Sequence, residues 1–281
     1  MREAGGQRGK PAGGKVWLPA SAFWHLVRMR LFHRDLGTAG LPPMVILHGL
    51  LGSSRNWQTA GRDLGKRYHV YALDLRNHGS SPHSADMTYA AMLADVLEWL
   101  DTHGLTKATV VGHSMGGKVA MLLACRHPER VERLIVVDTA PRGYRSPGLE
   151  AQFAAMADLP LDALRSRADA EQRLEGSVPD WAVRKFLTTN LAQDQDGRWR
   201  WSVNLPVLAA ALPELGKNPL AAADRFVGPA LFVAGGKSRF LLATDHAPIA
   251  AHFPNAHVEV IPGAAHNPHM ETREAFVRVI G

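Results

Sequence analysis

The segment TVVGHSMGGKVAMLLAC, residues 109–125, decides the fold of this chain. It opens with a short run rich in β-branched residues and closes with the apolar periodicity of a helix. Between the two, residues 112–116 read GHSMG and match the G-x-S-x-G pattern, which places a serine on a sharp turn between strand and helix. The flanking glycines leave room for that strained turn. We interpret Ser114 as a candidate nucleophile, and a chance Gly-Ser turn is the simpler alternative.

Short apolar runs alternate with helical segments along most of the chain. The runs predicted as buried strands are residues 44–49, 68–74, 109–113, 134–138, 230–236 and 257–263, with a further candidate strand beginning at Met29. Helical periodicity marks residues 87–104 and 115–127. This alternation predicts an α/β fold with a mostly parallel twisted sheet and helices on both faces. Functional groups are then expected at the carboxyl ends of the strands.

Residues 144–215 break this rhythm. We find no convincing strand there, only short helical pieces separated by Pro, Gly and Asp. An insertion of this length between two strands predicts a helical cap over the candidate site. The sheet domain would then comprise residues 29–143 and 216–281.

The sequence HGLLG, residues 48–52, ends the predicted strand at 44–49. A loop in this place can direct the backbone N–H of Leu50 toward a developing oxyanion. The N–H of Met115, at the positive end of the helix dipole, is the expected second donor. An ordinary glycine turn after a strand is the alternative.

A serine hydroxyl needs a base beside it, and the chain has 14 histidines. In the order typical of this strand–turn–helix arrangement, the base follows the last strand. His266 occupies that place and is the expected base. His269 is the competitor and would otherwise line the pocket, whereas a capped surface histidine is the structural alternative for His266.

The acid is harder to assign. The loop after the strand at 230–236 reads GKSR and has no carboxylate, and Asp245 already lies in the next predicted helix. Asp138 ends the strand at 134–138 and keeps the order Ser…Asp…His. From there a carboxylate can orient the histidine ring. Asp138 is therefore our expected acid; the alternatives are Asp245, or a Ser-His pair oriented by Ser238 and water.

Composition excludes several classes of protein. The 281 residues are 46% hydrophobic and include a single cysteine, Cys125, so neither disorder nor an internal disulfide fits. The net charge of +6 arises entirely within residues 1–34, which argues against a nucleic-acid surface. Residues 1–28 are predicted to be a disordered extension, with neither a membrane span nor a secretory signal. No metal-ligand spacing is apparent, so we expect no metal and no cofactor.

Several segments together resemble the α/β-hydrolase superfamily of serine hydrolases, in particular its YbfF-like esterase/thioesterase branch. They are HGLLGSSRNW, DLRNHGSS, GHSMGGKVAM, VDTAPRGY, FLTTNLAQDQDGRWRWSVNL and GAAHNPHME. The likeness runs from about Met29 to the last residue. It implies the α/β-hydrolase fold and hydrolysis of short- to medium-chain carboxylic esters. It also supports Asp138 as the acid and Ser238 as an auxiliary group near His266.

Three functions stay open at this stage. The first is a carboxylesterase that needs only a small-molecule ester and water. The second is an acyl-CoA thioesterase, in which Arg198 and Arg200 would meet the CoA phosphates unless they are simply solvated. The third is a weakly catalytic binding protein on a hydrolase fold. A cytoplasmic location is expected, whereas the oligomeric state is not predicted.

Overall fold

A computed structural model describes Met1, residues 29–145 and residues 147–281. The prediction of a disordered extension, residues 1–28, therefore lies outside the described residues apart from Met1. The strands are β1 His33–Asp35, β2 Pro43–Leu47, β3 His69–Leu73, β4 Ala108–His113, β5 Val131–Val137, β6 Leu191–Gln193, β7 Trp199–Trp201, β8 Ala230–Gly235 and β9 Ala256–Ile261.

Seven of these strands form one sheet in the order β1-β3-β2-β4-β5-β8-β9. Strand β1 pairs antiparallel with β3, and every other pairing in the sheet is parallel. The predicted α/β fold with a mostly parallel sheet is confirmed, and each run predicted as a strand overlaps an observed one. Because β4 and β5 lie in the middle of the sheet, the groups that follow them share one carboxyl edge.

The helices are α1 Gln58–Leu64, α2 Tyr89–Thr102, α3 Met115–Arg126, α4 Pro147–Ala157, α5 Arg167–Arg173, α6 Trp181–Thr188, α7 Leu205–Ala210, α8 Leu212–Leu215, α9 His246–His252, α10 Pro268–Glu271 and α11 Arg273–Ile280. Both faces of the sheet are covered. Val110 of β4 packs in the core on the side of α2 and α3, whereas Val111 packs on the opposite side with α1 and α11. All six residues of β4 are buried, as expected for a central parallel strand.

The insertion between β5 and β8 contains α4 to α8 and also a two-stranded antiparallel sheet of β6 and β7. The expectation that residues 144–215 contain no strand is therefore wrong. Both strands have three residues, too few to show a period of two. Asp194 accepts hydrogen bonds from the amides of Asp196 and Arg198 at 2.9 Å and closes the hairpin turn. Polar residues that suggested a helix break thus form a hairpin.

Within the described residues, no helix is long and apolar enough to cross a membrane.

Candidate active site

Ser114 lies on the turn between β4 and α3, with φ 50° and ψ −114°. Few non-glycine residues adopt a positive φ. The turn brings backbones into close contact: a Cβ atom on Gly112 would lie 2.3 Å from the carbonyl oxygen of Gly116. A Cβ on Gly116 would lie 2.4 Å from the carbonyl oxygen of Leu47. Both glycines of the motif are therefore required by space, and the turn exposes Ser114 to a cavity.

Two backbone amides face the same region. Leu50 and Met115 line the cavity together with Ser114. In the described parts of the chain, neither the Leu50 nor the Met115 N–H has a hydrogen-bond partner. These are the two amides that the sequence singled out as oxyanion donors.

Two buried histidines hold the loop that carries Leu50, and sequence reasoning missed both. His48 Nδ1–H donates to the Gly49 carbonyl at 2.8 Å, while its Nε2 accepts from the Leu75 amide at 2.9 Å. His78 Nε2 accepts from the Leu51 amide at 3.2 Å. Burial lowers the pKa of His48 to about 4 and that of His78 to about 3, so both rings are neutral. His48 directly follows β2, and His78 lies in the loop after β3. These positions were the available signal, but they do not identify a bonding partner.

His266 and Asp138 meet at the carboxyl edge of the sheet. His266 Nδ1 lies 2.7 Å from Asp138 Oδ2. The Ser238 hydroxyl donates to the same oxygen, and the Gly235 amide donates to Oδ1 at 3.0 Å. Asp138 is fully buried. Its carboxylate thus has fixed donors on both oxygens, and Asp138, Ser238 and His266 come together as the sequence predicts.

His266 is held beside the serine turn by two further contacts. His113, the residue before Ser114, donates from Nε2 to the His266 carbonyl at 2.8 Å. Phe240 stacks on the His266 ring with a centroid distance of 3.9 Å. Since Phe240 also lines the cavity with Ser114, the imidazole and the serine belong to the same site.

The competing acid and base lie elsewhere. Asp245 accepts from Arg142 Nε at 2.7 Å and from the Leu242 amide at 2.9 Å, and does not contact His266. His269 is buried and stacks on Trp57 at 4.0 Å, whereas it is His266 that contacts Asp138. Burial lowers the pKa of His269 to about 3. The structure therefore pairs Asp138 with His266, whose carbonyl accepts a hydrogen bond from the residue before Ser114, whereas Asp245 and His269 contact other groups.

The cavity has a volume of about 860 Å³ and lies between the sheet edge and the insertion. Its lining residues include Leu50, Tyr89, Ser114, Met115, Lys118, Tyr144, Leu149, Leu212, Leu215 and Phe240. Apolar and aromatic side chains predominate, and the charged residues Arg145, Glu150 and Lys217 also line the cavity, a mixture typical of a pocket for a small organic ligand. Arg198 and Arg200 are exposed on and beside β7 and do not line it.

Comparison with known proteins agrees with this geometry. A family model described as the alpha/beta hydrolase fold matches residues 42–272. The chain belongs to this family. Among α/β-hydrolases, the "sn-1-specific diacylglycerol lipase ABHD11" of Xenopus tropicalis is 39% identical over 265 residues, or 91% of this chain and 82% of the relative. "Esterase YbfF" of Escherichia coli is 35% identical over 239 residues, or 85% of this chain and 91% of the relative.

A solved α/β-hydrolase structure, "Marine microorganism esterase", superposes with a TM-score of 0.86 at 33% identity. The match covers 89% of this chain and 98% of that one. Together with the family match and the two relatives, it identifies the chain as an enzyme, an esterase/lipase-type hydrolase of the α/β-hydrolase fold. The expected resemblance to the YbfF-like branch is confirmed.

Proposed function

We propose that this α/β-hydrolase is a serine carboxylesterase that hydrolyses short- to medium-chain acyl esters through an acyl-enzyme on Ser114. The contact between His266 Nδ1 and Asp138 Oδ2 carries the proposal. Because Asp138 accepts the Nδ1 proton, the Nε2 lone pair of neutral His266 is free to act as a base. Without that contact the ring could hold its proton on the wrong nitrogen.

In the first half-reaction, Ser114 Oγ attacks the ester carbonyl carbon while His266 Nε2 takes its proton. The carbonyl oxygen becomes an oxyanion, which accepts hydrogen bonds from the Leu50 and Met115 amides. Asp138 stabilises the imidazolium. The bond to the leaving oxygen then breaks, and the alcohol departs with the proton from His266.

Water completes the second half-reaction. His266 removes a proton from a water molecule, which attacks the acyl-Ser114 carbonyl through the same oxyanion site. The ester bond to Oγ breaks, Oγ regains a proton from His266, and the carboxylic acid leaves. The enzyme returns to its starting state, so only ester and water are consumed. We propose that no metal and no cofactor take part.

The cavity supports an acyl ester as substrate. Leu149, Leu212 and Leu215 offer apolar surface for an acyl chain close to Ser114. The acyl-CoA alternative depended on Arg198 and Arg200, and neither lines the cavity. The diacylglycerol lipase activity in the name of the Xenopus relative suggests that glycerides should be included in a substrate panel. A cytoplasmic location stays a prediction.

The decisive experiment compares wild type with Ser114→Ala on p-nitrophenyl butyrate and with a fluorophosphonate label. We expect turnover to fall by at least about 10⁴-fold and labelling to vanish, because the nucleophile is gone. Ser177→Ala, at an exposed serine in the insertion, is the matched control and should keep both signals. Labelling that persists in Ser114→Ala would contradict the proposal. A folded wild type without turnover on any ester would favour a binding role instead.

A further inference from the structure

Lys118 is a buried lysine next to the proposed nucleophile. It lies one helical turn after Ser114 on α3, where its amide donates to the Ser114 carbonyl at 3.1 Å, and it is only 3% exposed. Lysine is almost never buried without a partner. Since the mechanism above does not use this amine, its position requires another explanation.

The ammonium group of Lys118 is directed at the carboxyl end of α8. Its Nζ donates to the carbonyl oxygens of Leu215 at 3.3 Å and Gly216 at 3.4 Å, and also to that of Lys217. An ammonium has three N–H donors, so these carbonyls satisfy all of them. The carbonyls at a helix end otherwise lack partners within the helix, and a cation is favourable there.

The surroundings of Lys118 are aromatic. Its Nζ lies 5.6 Å from the ring centroid of Tyr89 and 4.9 Å from that of Tyr144. Burial, with a contribution from Arg142, lowers its pKa to about 8, so the group is still charged at pH 7. The positive charge of Lys118 is thus stabilised by three backbone carbonyls and two tyrosine rings.

Two other elements bind the same short segment, residues 212–217. The Tyr89 hydroxyl on α2 donates to the Leu215 carbonyl at 2.7 Å. The Tyr144 amide donates to the Gly216 carbonyl at 2.7 Å. Lys118 therefore belongs to a set of three donors that hold this segment in place, and we refer to Lys118 with Tyr89 and Tyr144 as the cap anchor.

The anchored segment is a wall of the cavity. Leu212 and Leu215 line it together with Ser114. The cap anchor also reaches the proposed base, because the Tyr144 hydroxyl donates to the Phe240 carbonyl at 2.6 Å and Phe240 stacks on His266. A displacement of this wall would change the space for the acyl chain.

We propose that Lys118 is a positioning residue that fixes the wall formed by residues 212–217 and thereby determines which acyl-chain lengths fit. This inference rests on the proposed esterase function. It assigns Lys118 no proton transfer and no contact with the reacting atoms. Its effect is on selectivity between substrates.

The test is Lys118→Met, which keeps the length of the side chain and removes the three donors. We expect the ratio of kcat/KM for p-nitrophenyl octanoate to that for the butyrate to rise by about tenfold, since a released wall admits the longer chain and holds the shorter one less well. Tyr89→Phe removes one of the two side-chain donors to Leu215 and should shift the ratio in the same direction, but less. Hydrogen exchange should become faster in residues 212–217.

Lys107→Met is the matched control, because Lys107 pairs with Glu132 at 2.8 Å on the surface and should leave the ratio unchanged. A uniform loss on both esters, with an unchanged ratio in Lys118→Met and Tyr89→Phe, would indicate a merely structural lysine and overturn the inference. Failure of the esterase proposal would be visible separately, as absent Ser114-dependent turnover in wild type. Tyr89→Phe keeps the test decisive if Lys118→Met does not fold.

Discussion

The sheet and the inserted segment, residues 147–215, contribute to one hydrophobic core. They differ in the polar and titratable groups that they bury. The sheet edge buries His48, His78 and Asp138 and gives each of them specific hydrogen bonds. The insertion has no histidine; ion pairs such as Asp169–Arg173 lie at its surface, and its buried Arg184 donates to backbone carbonyls. In the proposed mechanism, proton transfer is therefore confined to the sheet edge, where burial and hydrogen bonds fix each proton, whereas the insertion supplies part of the cavity wall.

A few polar contacts connect the two regions. Asn190 Nδ2 donates to the Leu51 carbonyl at 2.8 Å, next to the proposed oxyanion loop. The Asn204 amide donates to the Asn77 carbonyl at 2.9 Å. With the cap anchor, these contacts position the insertion on loops that follow β2 and β3. The division of labour between the two regions can be tested, and three predictions address it.

We expect the largest loss of kcat from substitution of Asp138, and a much smaller one from substitution of Asp245, which is also buried. Asp138→Asn should lower kcat for p-nitrophenyl butyrate by about 10⁴-fold, because an amide no longer fixes the His266 proton on Nδ1. Asp245→Asn weakens the pair with Arg142 and should lower kcat by less than about tenfold. Circular dichroism of both variants checks that they are folded. Equal losses of kcat in the two variants would contradict the different roles of the two aspartates and make Asp245 a candidate acid again.

The second prediction concerns acid stability. Burial lowers the pKa of His48, His78, His113 and His269 below the ordinary 6.5. Below pH 6.5 the unfolded chain takes up protons at these histidines while the folded chain does not. Stability present at neutral pH is therefore lost as the pH falls below about 6.5, down to about 4 for His48 and about 3 for His78 and His269. Between pH 7 and 5.5 we expect roughly 1 kcal/mol of this loss from each of His48, His78 and His269, and a further loss of the same sign from His113.

Urea unfolding at the two pH values measures this loss. His257→Gln, which removes an exposed histidine, is the control and should leave the pH dependence unchanged. His78→Gln should make the loss between pH 7 and 5.5 smaller, because one buried ring that resists protonation is removed. An unfolding free energy that is the same at pH 7 and 5.5 would refute the assignment of neutral buried histidines.

The smallest effect is expected in the insertion. Asp180 caps α6 by accepting from the Ala182 amide at 2.8 Å and the Val183 amide at 3.2 Å. Asp180→Ala should lower the free energy of unfolding by about 1 kcal/mol. Hydrogen exchange should become faster in α6, whereas β4 keeps its protection. The exposed Asp162→Ala serves as the control, and a loss of protection that spreads to β4 would show that the two regions unfold as one unit.

The sheet and its serine turn were predictable because their signals are local. Each central strand is a short apolar run, and the space needed at Gly112 and Gly116 is written into the motif itself. The hairpin of β6 and β7 was not predictable in the same way. Its strands are short and their pairing is a property of the fold, which no period in the sequence records.

The site was predictable only as far as chain order constrains it. Asp138 and His266 were favoured because each ends or follows a predicted strand. From the sequence, Asp245 was disfavoured only because it lies in the next predicted helix; its partner Arg142, 103 residues away in sequence, contacts it only in the fold. The role of Lys118 could not be predicted, because the sequence of an apolar helix does not show whether its lysine points to water or to another helix end.

The distance along the chain between His266 and Asp138 has a consequence for refolding. They are 128 residues apart, and they meet only when β5, β8 and β9 have paired in register. Contacts between such remote segments form slowly, because the loop between them must close first. Recovery of esterase activity after dilution from denaturant should therefore lag behind recovery of helical signal. Esterase activity would then report that β8 and β9 have paired with the rest of the sheet.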